Sequence, residues 1–261
     1  VRSLSFVLPA CDEAANIARS IERCVGVGTS LGVLFEVIVV DDGSRDGTRR
    51  IADHLAARDA RIRTLHHATN HGYGAALRTG LQAARMDRVF FTDADLQFDV
   101  AEIDRLLAWA DTHDIVAGYR APRRDPLLRR LNGHVWSRLV DLLFDTGVRD
   151  VDCAFKVFDR RVFERIGISS LGAFVNTEIL VRARAAGFTV VEVPVTHYPR
   201  TAGVQSGAHP RVILKAFREL AQLYGELNAL PAPDEITATS RPLPAAADHT
   251  PTGARSRPRT G

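Results

Sequence analysis

Lysine is almost missing from the chain: Lys156 and Lys215 are the only two among 34 lysine and arginine residues. Nearly all positive charge therefore sits on arginine, whose planar fork binds phosphate through two hydrogen bonds. Acidic residues number 31, which leaves a formal charge of +3. The two signs are interleaved, and this excludes the blocked basic surface that coats a nucleic acid. Cysteine is scarce as well. Cys11, Cys24 and Cys153 are odd in number and show no C-x-x-C spacing, so they form neither a disulfide framework nor a zinc site. Such usage suits a reducing cytoplasm. No apolar run approaches the ~20 residues needed to span a bilayer, and the run Leu4–Leu8 lacks the charged, apolar and small-residue order of a secretory signal. The expected location is cytoplasmic, with any membrane contact peripheral or through a membrane-protein partner.

What is present is an ordinary globular composition, 46% hydrophobic and 25% charged over 261 residues, enough to bury a core. Short runs rich in branched residues recur at Leu4–Leu8, Phe35–Val40, Ile62–His66, Val89–Thr92 and Ile115–Gly118, and again at Val190–Val195. Between them apolar residues fall at helical spacing: Ile17, Ile21 and Val25; Ile51 and Leu55; Leu77 and Leu81; Ile103, Leu106 and Leu107. Alternating strand and helix predicts an α/β fold of Rossmann-like type, with a mostly parallel central sheet and helices on both faces. One domain is expected over residues 1–230. From Pro231 onward six of the chain's twelve prolines stand amid Ala, Thr, Ser and Arg, a composition that cannot bury a core, so residues 231–261 are expected to be a disordered tail.

In parallel sheets ligands sit at the carboxyl ends of strands. The polar clusters follow that rule: Pro9 to Glu13 after the first run, Asp41 to Ser44 after the second, Asp93 to Gln97 after the fourth. Asp93 and Asp95, with Ala94 between them and Gln97 beyond, present hard oxygens suited to Mg2+ or Mn2+. A polar turn capping the next helix would look similar. Asp41 and Asp42 end their strand beside Gly43 and Gly47, where carboxylates can accept from a nucleobase or ribose and glycine permits a close turn. His66, His67 and His71 show no metal spacing and read as solvent or loop residues. Trp109 and Trp136 lie on helical apolar faces and read as core. The last helix, Val212 to Leu227, is amphipathic and reads as core packing, with an interfacial helix as its alternative.

Four segments in this order, LPACDEAANI from Leu8, VVDDGSRDGT from Val39, NHGYGAA from Asn70 with Gly80, and DADLQ from Asp93, make the chain resemble family 2 glycosyltransferases of GT-A fold. The resemblance spans roughly residues 3 to 220 and is greatest to the dolichol- or polyprenol-phosphate mannosyltransferase group. It implies a nucleotide-diphosphate sugar as donor, with Pro9, Cys11 and Glu13 bordering the nucleoside and Asp42, together with Asp41, contacting base or ribose. It implies that Asp93, Ala94 and Asp95 meet the diphosphate and metal, with Gln97 as a further metal ligand. Arg120 matches an arginine near the reacting phosphates, Arg200 another on a loop over the donor, and Asp152 an acidic position near the acceptor. The catalytic set so implied is Asp95, Arg120, Asp152 and Arg200. Two positions depart from the pattern: Cys11 and Asp12 stand where tyrosine and asparagine are usual, and Ser206 stands where a lysine often follows the loop arginine.

The acceptor implied by the resemblance is a lipid phosphate, and the arginine surplus from Arg120 to Arg130 agrees with it. A phosphate with a second pKa of about 6 is already largely ionised at neutral pH and needs positioning more than a base. A sugar or small-molecule hydroxyl would instead need a general base, for which Asp152 or Glu178 is placed. A nucleotide-sugar-binding regulator without turnover is the third reading.

Overall fold

The computed structural model describes residues 1–121, 127–199 and 210–228. The first strand, β1 (Ser3–Ala10), and the second, β2 (Leu34–Asp41), flank the helix α1 (Ile17–Ser30) in sequence and pair in parallel from Ser3↔Leu34 to Ala10↔Asp41. Every residue of β1 is buried, as is all of β2 after Leu34. Helices cover both faces of such strands, which explains their continuous apolar sequence in place of alternation. After α2 (Thr48–Ala56), β3 (Ile62–His66) adds in parallel to the outer side of β2. Helix α3 (Tyr73–Ala83) then returns the chain to β4 (Arg88–Thr92), parallel to β1 on its other side.

Helix α3 lies unusually close to the sheet because it carries Gly80 at the crossing point. A Cβ there would stand 2.4 Å from Val7 Cγ1 and 3.1 Å from Val40 Cγ2. The aromatic core continues across β1 and β4: Phe6 meets Phe90 edge-on at 5.8 Å, and Phe90 meets Phe155 at 4.7 Å. Contacts of this geometry add about 0.5–1.5 kcal/mol each beyond area burial.

The second half departs from simple alternation. Helix α4 (Ile103–Leu107) leads to β5 (Ile115–Arg120), and α5 (Leu127–Phe144) to β6 (Phe155–Asp159). Helices α6 (Arg161–Arg165) and α7 (Val175–Ala185) precede β7 (Val190–Val195), and α8 (Pro210–Asn228) follows. The seven strands run in the order β3-β2-β1-β4-β6-β5-β7. β6 is antiparallel to both neighbours, β4 and β5, while the other pairings are parallel. The mostly parallel sheet expected from the sequence is thus present, with one antiparallel strand inserted between β4 and β5. That strand, Phe-Lys-Val-Phe-Asp, is buried at every position, Lys156 included.

Among the described residues no helix is long and apolar enough to cross a membrane. Trp109, read as core, is instead 47% exposed. The short α4 ends just before it, so the helical face inferred from Ile103 to Leu107 does not extend to its position. Trp136 does pack, edge-on against Phe174 and Phe217. Helix α8 divides: Leu220 and Leu223 are buried, while Leu214, Phe217 and Tyr224 are exposed. Residues 229–261, which include the expected tail of 231–261, lie outside the described residues.

Candidate active site

The strand order reverses at β1, which has β2 on one side and β4 on the other. Ligands of open α/β sheets bind in the crevice at such a reversal, beyond the carboxyl ends. The ends of β1, β2 and β4 carry Ala10, Asp41 and Thr92, and the candidate residues follow directly from each.

The loop after β1 is tied to the loop after β2 by four main-chain donors. The N–H of Asp12 bonds Ser44 Oγ at 2.9 Å, that of Arg45 bonds Asp12 Oδ1 at 2.7 Å, that of Glu13 bonds Thr48 Oγ1 at 2.8 Å, and that of Ala14 bonds Asp46 Oδ2 at 2.9 Å. Asp12 holds φ 55, the left-handed region that Asp and Asn tolerate better than other side chains. An aspartate in place of the usual asparagine therefore leaves this turn intact. Pro9 is buried in β1, and Glu13 is buried and accepts from Asn16 Nδ2 at 2.7 Å. Cys11 accepts from Asn70 Nδ2 at 3.1 Å. Burial, with the charges of Asp12, Asp42 and Asp41, pushes its thiol pKa up, against the Asn70 bond.

Asp41 and Asp42 are both buried but do different work. Asp41 lines a cavity of about 230 Å³ with Gly43, Ser44, Arg45, Arg49 and Asn70 among its other walls. Asp42 turns into the following loop: Oδ1 meets His67 Nδ1 at 2.6 Å and accepts from His71 N at 2.9 Å, and Oδ2 accepts from Gly72 N at 2.8 Å. His67 reaches Thr79 Oγ1 from its other nitrogen, and His66 stands 2.8 Å from Asp53. Two of the three histidines read as solvent or loop residues are thus bonded parts of the framework, because their partners come from β2 and its neighbouring helices.

The Asp93 to Gln97 turn is set rigidly. Ala94 O accepts from Ser20 Oγ of α1 at 2.8 Å, and Asp95 Oδ1 accepts from Gln97 N at 3.1 Å. Between them Leu96 takes φ 62, a conformation that costs a non-glycine residue about 1–3 kcal/mol and marks sites where geometry is imposed. Gln97 donates from Nε2 to Tyr198 O at 3.1 Å and lies 3.2 Å from His197 Nε2. Its amide nitrogen is therefore turned to the segment after β7. Among the described residues no three His, Cys, Asp or Glu side chains are clustered closely enough to cage a metal. Two carboxylates at one strand end nonetheless fit Mg2+ or Mn2+, which keep several positions for water and substrate phosphates.

On the far side of β4, Arg120 at the end of β5 bonds Asp150 through Nε at 2.8 Å and Nη2 at 2.6 Å. Asp152 is exposed at the tip of the same turn. Lys156 donates to the carbonyls on either side of it, Val151 O at 3.0 Å and Cys153 O. Glu178, considered as a base, is 1% exposed and accepts from Ser169, Ser170 and Arg182. Those bonds commit it to holding a loop. Arg200 lies outside the described residues, as do Ser206 and His209. Asp150 and His197 escaped the sequence reading because their partners, Arg120 and Gln97, stand 30 and 100 positions away, with no local spacing to mark them.

Known proteins resemble this chain in sequence and in fold. A curated relative, Glycosyltransferase AglD of Haloferax volcanii, is 38% identical over 207 residues, covering 76% of this chain and 33% of that protein. The undecaprenyl-phosphate 4-deoxy-4-formamido-L-arabinose transferase of Klebsiella pneumoniae is 27% identical over 216 residues, covering 82% of this chain and 65% of that protein. The chain thus spans a third to two thirds of the length of these relatives. Among solved structures, glucosyl-3-phosphoglycerate synthase of Mycobacterium tuberculosis, bound to Mn2+, UDP and glucosyl-3-phosphoglycerate, superposes with TM-score 0.65 at 20% identity, covering 89% of this chain and 82% of that one. Mannosyl-3-phosphoglycerate synthase of Rubrobacter xylanophilus gives TM-score 0.67 at 21% identity, covering 89% and 78%. At these identities the likeness is one of fold, and the fold is the GT-A type. The family model described as Glycosyl transferase family 2 matches residues 5–167, the stretch that holds the ends of β1, β2 and β4, and the chain belongs to that family.

Proposed function

We propose that this glycosyltransferase moves a hexose, with inversion, from a UDP- or GDP-linked sugar to a polyprenyl or dolichyl phosphate. The observation that carries this reading is the gathering of Glu13, Asp41, Asp93 and Asp95 at the carboxyl ends of β1, β2 and β4, around the reversal of strand order. Asp41 and the cavity beside it suit the nucleoside, bordered by Pro9, Cys11 and Glu13. Asp42 shapes that border through the Asn70–Gly72 loop.

Asp93 and Asp95 would hold Mg2+ or Mn2+, with Gln97 contributing its amide oxygen, and the ion would supply charge neutralisation for the departing diphosphate. The chain's own residues do the rest. Arg120, pre-oriented by Asp150, and Arg200, assigned from the family resemblance, set phosphate oxygens in line for attack. An acceptor phosphate oxygen forms the bond to the anomeric carbon as the bond to the diphosphate breaks, and the nucleoside diphosphate leaves with the electron pair. No proton need be removed from an ionised phosphate.

Two observations support the lipid acceptor. The Klebsiella relative is named for undecaprenyl phosphate. Leu131, Val135 and Leu142 on α5, with Leu214 and Phe217 on α8, form exposed apolar surface on two helices that touch through Trp136 and Phe217, and such surface marks contact with apolar partners. A hydroxyl acceptor is the second reading, since Asp152 is exposed in the turn whose Asp150 pairs with Arg120 and suits a general base.

The test is to offer the purified chain UDP- and GDP-hexoses with a short polyprenyl phosphate and Mn2+, reading the product by mass spectrometry. A polyprenyl-phosphate hexose is expected, with turnover reduced roughly 10²-fold or more in Asp95→Asn at unchanged circular dichroism. Transfer only to sugars or small hydroxyls would establish the second reading. Equal turnover by the variant would remove the metal assignment.

A further inference from the structure

Lys156 lies on β6 directly opposite Phe91 of β4 and Ala117 of β5. Its burial is costly, since taking an amino group out of water disfavours its charged form. It is 1% exposed, and burial pushes its pKa down, against the pull of Cys153, Asp150 and Asp152. The amino group is enclosed by Val151 O at 3.0 Å, by Cys153 O and, at 3.3 Å, by Asn176 Oδ1 of α7. These three acceptors match the three N–H bonds of an ammonium group. A neutral amine would turn its lone pair on one of them.

Two of the three oxygens belong to the turn between α5 and β6, which also carries Asp150. The same turn is held from other directions by its N–H groups. Val151 N donates to Ser137 Oγ of α5 at 3.3 Å, Arg149 N donates to Glu192 Oε1 of β7 at 2.9 Å, and Cys153 N returns to Asp150 O at 3.1 Å. Ser137 and Glu192 thus take N–H groups of the turn, while Lys156 takes its carbonyls. A turn bound in both senses has little freedom to slide. What it presents is the Asp150 carboxylate, which receives Arg120 Nε at 2.8 Å and Nη2 at 2.6 Å. The path from amino group to guanidinium is short: a bond to Val151 O, one step of main chain to Asp150, and the forked pair.

We propose that Lys156 is a positioning residue for the acceptor half of the reaction: its ammonium group locks the 150–153 turn, the turn fixes Asp150, and Asp150 aims Arg120 at phosphate. The proposal rests on the reading of Arg120 as a phosphate-binding arginine. An apolar residue of similar length cannot do the same. Methionine would fill the space and leave Val151 O and Cys153 O without the amino donor.

The experiment compares the full chain with Lys156→Met, Ser137→Ala, Asp150→Asn, Arg120→Lys and the Lys156→Met/Asp150→Asn double variant. It reads kcat/KM for a short polyprenyl phosphate and, by calorimetry in Mn2+, the affinity for UDP and GDP. Lys156→Met is expected to lose about 10²-fold in acceptor kcat/KM, the order that a misplacement of about 1 Å costs. Its nucleotide affinity should stay at the parent value, because the three bonds of the amino group go to the turn and to α7. Ser137→Ala, which removes one hold on the same turn without touching a charge, should show a smaller loss of the same kind, and it carries the test if Lys156→Met does not fold. The double variant should lose no more than the larger single loss, because links of one path are not additive. Equal loss of nucleotide affinity and acceptor kcat/KM would reduce Lys156 to framework and overturn the proposal. So would parent kcat/KM in Lys156→Met, or in Ser137→Ala where Lys156→Met does not fold, and so would losses that add in the double variant. Parent kcat/KM in Arg120→Lys, or a parent that uses no phosphate acceptor, would instead sink the reading of Arg120, and the proposal with it.

Discussion

Arg120 and Asp150 close on each other as a forked pair, with Nε to Oδ2 at 2.8 Å, Nη2 to Oδ1 at 2.6 Å, and the Arg120 main-chain N–H to the same Oδ2 at 3.0 Å. Both side chains are about nine-tenths buried. Arg120 is thus held at its Nε edge by a carboxylate from the turn after α5. A guanidinium so held loses little further freedom when it meets a phosphate.

Removing one member of a buried pair leaves the other charge uncompensated. Asp150→Ala is expected to lower unfolding free energy by about 3–5 kcal/mol, read by urea denaturation. Asp150→Asn, which keeps one acceptor, should fall between the variant and the parent. A loss under about 1 kcal/mol for Asp150→Ala, the range of an exposed pair, would contradict the burial described.

How far the sequence reveals this site depends on how local each role is. Asp41, Asp93 and Asp95 were legible because strand-end carboxylates follow an apolar run directly, and the parallel half of the sheet made each run visible. β6 was not. It is five residues long with a lysine at its second position, and its burial comes from antiparallel pairing with β4 and β5 on both sides. Missing it hid Lys156, whose amino group is enclosed by Val151 O, Cys153 O and Asn176 Oδ1. The division of labour between Asp41 and Asp42 was also invisible, since adjacent residues of a strand point to opposite sides and only the loop from His67 to Gly72 decides which one is enclosed.

Glu178 should mark the acid limit of stability. Burial alone would raise its carboxyl pKa, but bonds from the Ser169 hydroxyl, the Ser170 and Ser169 N–H groups and Arg182 outweigh burial and hold the pKa below the ordinary glutamate range. A depressed folded-state pKa contributes stability above the unfolded value of about 4.3 and loses it as pH falls through the folded value. Glu178→Gln should therefore be less stable than the parent at pH 7, with the gap narrowing below about pH 4. Denaturation midpoints across pH 3 to 7 test this. A gap constant with pH would mean that the charged form of Glu178 is not what the loop binds.

Gly72 and Gly26 make a paired test of backbone against space. Gly72 has φ +104, and an added Cβ would meet Leu171 O at 2.3 Å, so Gly72→Ala must strain the backbone and push α3 from the loop that Glu178 anchors. A loss of about 1–3 kcal/mol is expected, with weaker nucleotide binding because Asp42 loses the Gly72 N–H position. Gly26 sits exposed inside α1 with nothing within 4 Å of an added Cβ. There the same substitution should gain about 0.5–1 kcal/mol by restricting the unfolded chain. Thermal denaturation of the two variants should move in opposite directions. If Gly72→Ala matched Gly26→Ala, the packing of α3 on the 170–172 loop would be the part of the site to revise.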